Sequence, residues 1–269
     1  MKKITTLLLL GLMLFSISGC ESYTKLLKST DYEYKYEAAK CLFVEGKYTN
    51  AITLLEELIM ILKGTDRAEE SLYMLGMCYY NQGDYLSASK YFTTYYNTYP
   101  KGKYCEEARF YSGKALYKDT PEPKLDQTSS YSAINELQIF MEYYPQSNYK
   151  PEALDMLYAL QDKLVEKEYY SSELYFNMGN YMGNNYRACI ITAQNALKDY
   201  PSTKLREKLS ILILKAKYYM AERSVEEKKI DRYRDTVDEY YAFKNEFPES
   251  KYLKEAEGYY RKSLKVVNE

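Results

Sequence analysis

The sequence repeats itself at an interval of 37 residues, from Tyr36 to Tyr73 to Phe110, and this period constrains the fold more than any other feature. The segment YEAAKCLFVEGKYTNAI at the first position aligns with YMLGMCYYNQGDYLSAS at the second, and FYSGKALY continues the series at the third. Apolar residues follow the 3.6-residue spacing of an amphipathic helix, and Gly46 and Gly83 interrupt them. A period of this length with a central break predicts stacked helix–turn–helix units.

A second signature, an aromatic residue followed by proline, recurs along the chain. Proline has no N–H to continue a helix and disfavours the α conformation in the residue before it, so each pair predicts a helix end. A small residue stands two positions after each proline, and an apolar residue stands four positions after it. The pairs are Tyr99-Pro100, Tyr144-Pro145, Tyr200-Pro201 and Phe247-Pro248.

Together the two signatures predict an all-α, tetratricopeptide-repeat-like solenoid of about five helix–turn–helix units. Residues 31–145 are expected to form repeats 1 to 3, and residues 146–269 repeats 4 and 5 with a closing helix from Lys251 to Val267. The insertion KDTPEPKLDQTSS, from Lys118 to Ser130, predicts a loop in the third repeat. The small residues Ala39, Gly76 and Gly113 predict that the two helices of a repeat pack closely.

The N-terminal stretch MKKITTLLLLGLMLFSISGC has the layout of a secretory signal, with two lysines, an apolar run too short for a comfortable membrane span, and small residues. Its end, Ile17-Ser18-Gly19-Cys20, resembles the lipobox of bacterial lipoproteins. The resemblance implies that residues 1–19 are a signal peptide, that the Cys20 thiol carries a lipid, and that residues 20–30 are a lipidated terminus and linker. The alternative is a signal anchor, or a plain secretory signal with an incidental cysteine.

The composition argues against several classes of function. The chain has 37 basic and 38 acidic residues, and its net charge of −1 gives no reason to expect a nucleic acid as partner. It has no His, which is the commonest acid–base residue and a common zinc ligand, and no phosphate-binding or dinucleotide motif. We therefore expect neither an enzyme nor a cofactor or metal site. Paired acids on helices are expected to be solvated: Glu56-Glu57, Glu69-Glu70 and Glu226-Glu227.

Four cysteines follow Cys20 without any CxxC pair, and all four fall within helical patterns. This placement favours small buried free thiols, although an oxidising compartment would also permit disulfides. The four are Cys41, Cys78, Cys105 and Cys189.

One face of the first helix in each of repeats 1 to 3 carries aromatic residues, a methionine and two lysines, and we call it the aromatic face. Its residues are Tyr36, Lys40 and Phe43, then Tyr73, Met77 and Tyr80, then Phe110, Lys114 and Tyr117. In a solenoid this face is expected to line the concave side, where it would suit a peptide with apolar side chains and a terminal carboxylate. The alternative is that these aromatics pack between neighbouring repeats.

The mature chain resembles the BamD family, the tetratricopeptide-repeat lipoproteins of the bacterial outer-membrane β-barrel assembly machinery. The resemblance rests on the lipobox and on four segments: GKYTNAI, GDYLSASKYF, YYNTYPKGKYCEEARFYSGKALY and KEYYSSELYFNMGNYMGNNYRA. It implies five repeats and a protein anchored by lipid to the periplasmic face of the outer membrane.

The same resemblance implies two binding roles. Repeats 4 and 5 would dock on the periplasmic domains of the central β-barrel insertase and help to seat other accessory lipoproteins. Repeats 1 to 3 would take the C-terminal signals of unfolded outer-membrane proteins, whose apolar residues and terminal aromatic suit Tyr36, Phe43, Tyr73 and Tyr80. The alternatives are a periplasmic repeat adaptor that coordinates cell-wall or envelope processes, and a glycan-capturing surface lipoprotein.

Overall fold

The part of the chain that the structure describes, residues 23–268 of a computed structural model, consists of helices and turns without a strand. A short helix, α1, covers residues 23–27. The helices that follow are α2 (Tyr32–Val44), α3 (Tyr48–Ile61), α4 (Asp66–Gln82), α5 (Tyr85–Thr98), α6 (Cys105–Lys118), α7 (Thr128–Tyr143), α8 (Lys150–Met178), α9 (Asn185–Asp199), α10 (Arg206–Glu222), α11 (Glu226–Glu246) and α12 (Leu253–Asn268).

Helices α2 to α11 form five helix–turn–helix pairs, which confirms the predicted repeat architecture. From α2 to α6, and again from α9 to α12, each helix packs on the next one in sequence. The closing helix α12 spans Leu253–Asn268, close to the prediction of Lys251 to Val267.

The turn inside each of the first two repeats depends on a glycine, as the sequence indicated. Gly83 ends α4 with φ at 87°, the left-handed region that side chains disfavour, and its N–H donates to the Tyr80 carbonyl at 3.2 Å. The next helix starts at once, because the Asp84 side chain accepts from the Ser87 N–H at 3.1 Å. Gly46 takes the same conformation in the first repeat, with φ at 74°.

The aromatic–proline pairs form one kind of turn at all four places. In the first, the Gly102 N–H donates to the Tyr99 carbonyl at 2.9 Å, which closes a β-turn with Pro100 at its second position. That position suits the fixed φ of proline, so the residue that ends one helix also forms the turn to the next. The other donors and acceptors, each pair at 3.1 Å, are Ser147 and Tyr144, Thr203 and Tyr200, and Ser250 and Phe247.

The small residues of the first helices lie where the second helix of the same repeat approaches. A Cβ atom built on Gly76 would come within 2.7 Å of the Phe92 ring, and one on Gly113 within 2.8 Å of the Leu137 side chain. Ala39, the equivalent residue of the first repeat, is fully buried. The predicted close packing within repeats is therefore confirmed.

The third repeat contains the expected loop, but the loop is shorter than predicted. Helix α6 ends at Lys118 and α7 begins at Thr128, so the last three residues of the insertion are helical. The loop folds around the buried amide of Gln127, whose Nε2 donates to the Glu122 and Leu125 carbonyls at 2.8 and 3.1 Å. These bonds explain why a polar, proline-rich segment has a defined path.

The described chain divides into two compact units. The first contains Ser132–Ala153 and the described part of Met1–Asp119, and the second contains Thr120–Tyr131 and the described part of Leu154–Glu269. Each unit has its own buried apolar clusters. The expected boundary between residues 145 and 146 stays a prediction.

The four cysteines of the described chain are free thiols, and three of them are buried. Burial raises the pKa of the Cys78 and Cys189 thiols to about 12, which keeps both protonated and unreactive. Cys41 is exposed, so the expectation of burial is wrong there. Its equivalent, Cys78, lies in the core formed with repeat 1, whereas no repeat precedes α2 in the described residues.

We expect Gly76→Leu to destabilise the protein, because the new side chain must displace the Phe92 ring. Overpacking of this kind costs about 1–3 kcal/mol or more. Gly258→Leu is the matched control, since Gly258 is also helical and nothing lies within 4 Å of its Cβ position. Thermal and urea unfolding followed by circular dichroism should show a lower midpoint for Gly76→Leu only. Equal midpoints for the two variants would contradict the packing assignment.

Candidate functional site

In each of repeats 1 to 3, the first of the three residues on the aromatic face serves mainly in packing, and we call these residues, Tyr36, Tyr73 and Phe110, its first row. Tyr36 is 4% exposed and Phe110 is 1% exposed, and Tyr73 is half-buried. Tyr36 and Phe110 therefore offer almost no surface to a bound peptide, contrary to the expectation that they line an open groove. Packing between repeats, the alternative interpretation, describes both positions.

Two of these residues make equivalent hydrogen bonds to the following repeat. The Tyr36 hydroxyl donates to the Glu70 carboxylate, and the Tyr73 hydroxyl donates to Glu107 Oε2 at 2.5 Å. Each acceptor lies 34 residues after its donor, on the first helix of the next repeat. We call these two contacts the inter-repeat hydrogen bonds.

The residue four positions after the proline stacks on the aromatic face at each of the first two aromatic–proline pairs. The Tyr73 and Tyr104 rings are nearly parallel, with centroids 4.3 Å apart, and the Phe110 and Tyr149 rings lie 4.4 Å apart. Offset stacking of aromatic rings adds about 0.5–1.5 kcal/mol beyond the area that they bury. The 37-residue repeat and the aromatic–proline pairs are therefore in contact, because each of these two turns positions a tyrosine ring against the aromatic face.

The two lysines of the aromatic face already have carboxylate partners. Lys114 Nζ lies 2.8 Å from Glu152 Oε1, and its side chain is 21% exposed. The same ammonium lies 5.4 Å from the centroids of both the Phe110 and Tyr111 rings. Lys40 Nζ lies 4.0 Å from Glu70 Oε1, at the limit of an ion pair.

The accessible part of the aromatic face is its second row, formed by Lys40, Met77 and Lys114, and its third row, formed by Phe43, Tyr80 and Tyr117. Tyr80 contacts the rings of Tyr85 and Tyr111 edge-on, with centroids 5.6 and 5.2 Å away, and remains half-buried. The other residues of these rows are half-buried as well: Lys40, Phe43, Met77, Lys114 and Tyr117. These six side chains retain surface that a ligand could contact.

The environment of the aromatic face favours neutral phenols and a charged lysine. Burial, and then the hydrogen bond to Glu107, raises the pKa of Tyr73 well above its usual value, and burial and Glu70 do the same for Tyr36. Burial tends to lower the pKa of Lys114, but the hydrogen bond to Glu152 and the nearby phenols outweigh it, so that pKa is raised. Lys114 is therefore positively charged at neutral pH.

Several carboxylates that were expected to be solvated are structural acceptors. Glu69 is half-buried and accepts from the Tyr95 hydroxyl at 2.5 Å and from the Lys103 N–H at 2.8 Å. Its neighbour Glu70 accepts from Tyr36. The expectation is wrong for this pair because the buried phenols of the repeats need acceptors. For Glu70, the 34-residue distance from tyrosine to glutamate, which recurs between Tyr73 and Glu107, was the signal that could have revealed its role.

The other acidic pairs differ from each other. Glu57 binds the buried ammonium of Lys35 at 2.7 Å, and Glu56 accepts from the Tyr79 hydroxyl at 2.8 Å, so neither is simply solvated. Glu226 and Glu227 are exposed, as predicted. Residues 23–268 contain no group of His, Cys, Asp or Glu side chains arranged to hold a metal ion.

Comparison with known protein families adds the decisive observation. The sequence model of the YfiO family, described as an outer membrane lipoprotein, matches residues 29–231. The chain belongs to the YfiO family of outer membrane lipoproteins. This is the BamD-type family, so the resemblance seen in the sequence is confirmed at the level of the family. No curated protein matches the chain.

The YfiO match begins after the predicted lipobox. Cys20 and the expected signal peptide, residues 1–19, lie outside the described residues. Among the helices of residues 23–268, none combines the length and the apolar character needed to cross a bilayer. The family is one of outer membrane lipoproteins and is not a known enzyme family.

We expect the inter-repeat hydrogen bond of Tyr73 to appear in the pH dependence of stability. The pKa of a tyrosine is about 10 in the unfolded chain and higher at Tyr73 in the folded one. The contribution of Tyr73 to the free energy of unfolding is therefore complete below about pH 10. Above that pH it declines by up to about 1.4 kcal/mol per pH unit. Tyr73→Phe should lower the free energy of unfolding near pH 8 by about 1.5–3 kcal/mol, the value of a hydrogen bond to a charged group, and make the alkaline decline shallower.

Urea unfolding between neutral and strongly alkaline pH measures both effects. Tyr34→Phe is the control, because the Tyr34 side chain is 54% exposed. An alkaline decline in Tyr73→Phe as steep as that of the unsubstituted protein would contradict the assignment.

Proposed function

We propose that this protein is a lipid-anchored scaffold and substrate receptor in the machinery that assembles β-barrel proteins into the bacterial outer membrane. Its lipid would be attached to Cys20 and would hold it at the periplasmic face of that membrane. Membership of the YfiO family over residues 29–231 is the observation that carries the proposal. The helical repeats support it, because stacked repeats present extended surfaces for other proteins.

Three kinds of partner follow from this role. Repeats 4 and 5 with α12 would bind the periplasmic domains of the central β-barrel insertase and other accessory lipoproteins. Repeats 1 to 3 would bind the C-terminal signals of unfolded outer-membrane proteins. Chemistry at a catalytic site is not part of the proposal.

The accessible rows of the aromatic face suit the proposed peptide. The half-buried rings of Phe43 and Tyr80 would contact apolar side chains of the signal, and Lys114 would attract its terminal carboxylate. Since Lys114 is already paired with Glu152 at 2.8 Å, the peptide carboxylate must compete with that side chain. Binding should therefore depend on Glu152 in the direction opposite to its dependence on Lys114.

We expect Lys114→Gln to weaken binding of a short synthetic peptide that ends in phenylalanine with a free carboxylate. A loss of about fivefold corresponds to the roughly 1 kcal/mol of a partly exposed ion pair. Glu152→Gln should strengthen binding by a similar factor, and neither change should affect the amidated peptide. Fluorescence anisotropy with labelled peptides measures these constants, and Lys47→Gln, an exposed lysine outside the aromatic face, is the control. Identical responses to the acid and the amide would exclude Lys114 as the carboxylate site.

We expect Cys20→Ala to release the protein from the envelope, because the lipid is its proposed attachment. Fractionation of cells into soluble and membrane pools measures this, with the unsubstituted protein in the membrane pool as reference. Cys41→Ala, which removes the exposed cysteine of residues 23–268, is the control. Full retention of Cys20→Ala in the membrane pool would contradict the anchor.

The assembly role is tested by purifying the tagged, lipidated protein from native envelopes and identifying what co-purifies by mass spectrometry. Recovery of a large β-barrel insertase in nearly equal amount supports the proposal. Recovery of cell-wall enzymes instead would favour the periplasmic adaptor, and would leave the fold and the family unchanged.

A further inference from the structure

The segment expected to be a linker is partly a docked helix. In α1, Leu26 is 8% exposed and belongs to the same buried cluster as Tyr36 and Ala39 of α2. The Tyr23 hydroxyl donates to the Asn50 carbonyl of α3 at 3.0 Å. Helix α1 is therefore fixed to both helices of repeat 1.

The connection from α1 to α2 is also hydrogen-bonded. The Ser29 N–H donates to the Leu26 carbonyl at 3.1 Å, and the Asp31 N–H donates to Ser29 Oγ at 3.1 Å. Asp31 in turn caps α2 by accepting from the Tyr34 N–H at 3.0 Å. From Tyr23 onward the chain thus contains no free segment before the first repeat.

The distance between the proposed lipid and α1 is short. Cys20 precedes Tyr23 by three residues, and an extended chain advances at most about 3.3–3.6 Å per residue, so the two are separated by roughly 11 Å or less. The headgroup layer on each side of a bilayer is itself about 5–8 Å thick. A lipid on Cys20 would therefore leave α1 within or directly above the headgroups, whatever the conformation of the three residues.

The outer side of α1 has a composition that suits this position. Lys25 and Lys28 are exposed, and Leu27 between them is 36% exposed, while Tyr23 and Leu26 face repeat 1. Lysines near an anionic membrane surface contribute about 1 kcal/mol each, and an apolar side chain between them can enter the boundary of headgroups and acyl chains.

We propose that α1 is a rigid strap that holds repeat 1 against the phospholipid headgroups, with Lys25, Leu27 and Lys28 in contact with them. The proposal rests on the lipid attachment at Cys20 put forward under the proposed function. It goes beyond attachment, since a lipid on a flexible linker would let the repeats leave the bilayer surface. Because α1 is packed on repeat 1, the short connection to Cys20 would keep repeat 1 at the bilayer surface.

The absence of tryptophan from the chain provides a direct test. Leu27→Trp introduces a single indole at the proposed contact, and Lys28→Trp provides a second probe position. The lipidated full-length variants are reconstituted on vesicles of phosphatidylethanolamine and phosphatidylglycerol, with or without bromine on the acyl chains. We expect brominated vesicles to quench the indole emission of both variants.

Two controls locate the effect. Tyr143→Trp places the probe at an exposed aromatic site in repeat 3, where we expect no quenching. A flexible glycine–serine spacer inserted between Cys20 and Tyr23 of Leu27→Trp should abolish quenching while the protein still floats with the vesicles.

The outcomes separate the strap from the anchor. Flotation with the vesicles but no quenching at either probe position would overturn the strap and leave the anchor intact. Quenching that survives the spacer would show that α1 binds lipid by its own affinity, which would overturn the role of the short tether. Failure of the lipidated protein to float would overturn the anchor and the strap together.

Discussion

The hydrogen bond from a tyrosine of one repeat to a glutamate of the next sets how the first repeats meet. A half-buried carboxylate needs hydrogen-bond donors, and a buried phenol needs an acceptor. Separating Tyr36 from Glu70, or Tyr73 from Glu107, would therefore cost folding free energy. A hydrogen bond to a charged group contributes about 1.5–3 kcal/mol, several times the value of an exposed ion pair. Because donor and acceptor lie on the first helices of adjacent repeats, this bond fixes one helix against its successor. In repeats 2 and 3 the contacts of Gly76 and Gly113 then place the second helix.

This arrangement explains why the chain is rich in tyrosine rather than in phenylalanine or tryptophan. A tyrosine supplies a ring for packing between helices and a hydroxyl that reaches the edge of the core, where a glutamate can stay partly hydrated. The contact recurs away from the aromatic face, with Tyr96 and Glu136 joined at 2.6 Å. Burial, then the bond to Glu136, raises the pKa of Tyr96 to about 12, so the phenol remains a donor at physiological pH. The carboxylates that accept from these phenols, Glu70, Glu107 and Glu136, therefore serve the internal structure of the protein.

The backbone of the fold could be predicted because its signals are local. Gly83 and the prolines of the four aromatic–proline pairs each act on their own turn, and the small residue Gly76 indicates that a neighbouring helix packs closely at that position. The role of Glu70 could not be read in the same way, because its partner lies 34 residues away and an acidic residue on a helix is usually solvated. The exposure of Cys41 was missed for a related reason, because the sequence around it matches the sequence around Cys78. Cys78 is buried against repeat 1, whereas no repeat precedes Cys41 in the described residues.

The aromatic face has a packing role, which the structure shows, and a recognition role, which we propose, and the sequence pattern does not separate the two. The residues nearest the start of each first helix are occupied by the neighbouring repeat, so any recognition must use the later rows, where Phe43, Tyr80 and Lys114 keep some surface. The packed first row holds the three helices that carry the later rows. Side chains on helices that are already ordered lose less entropy when a ligand binds. In the proposed strap, helix α1 orders the chain in the same way at the membrane surface. Leu26 shares its core with Tyr36, so in the proposed arrangement one set of buried contacts positions both the lipid-attached end and the first row of the aromatic face. For the proposed substrate receptor this coupling is useful, because it would keep the peptide site at a constant distance from the membrane.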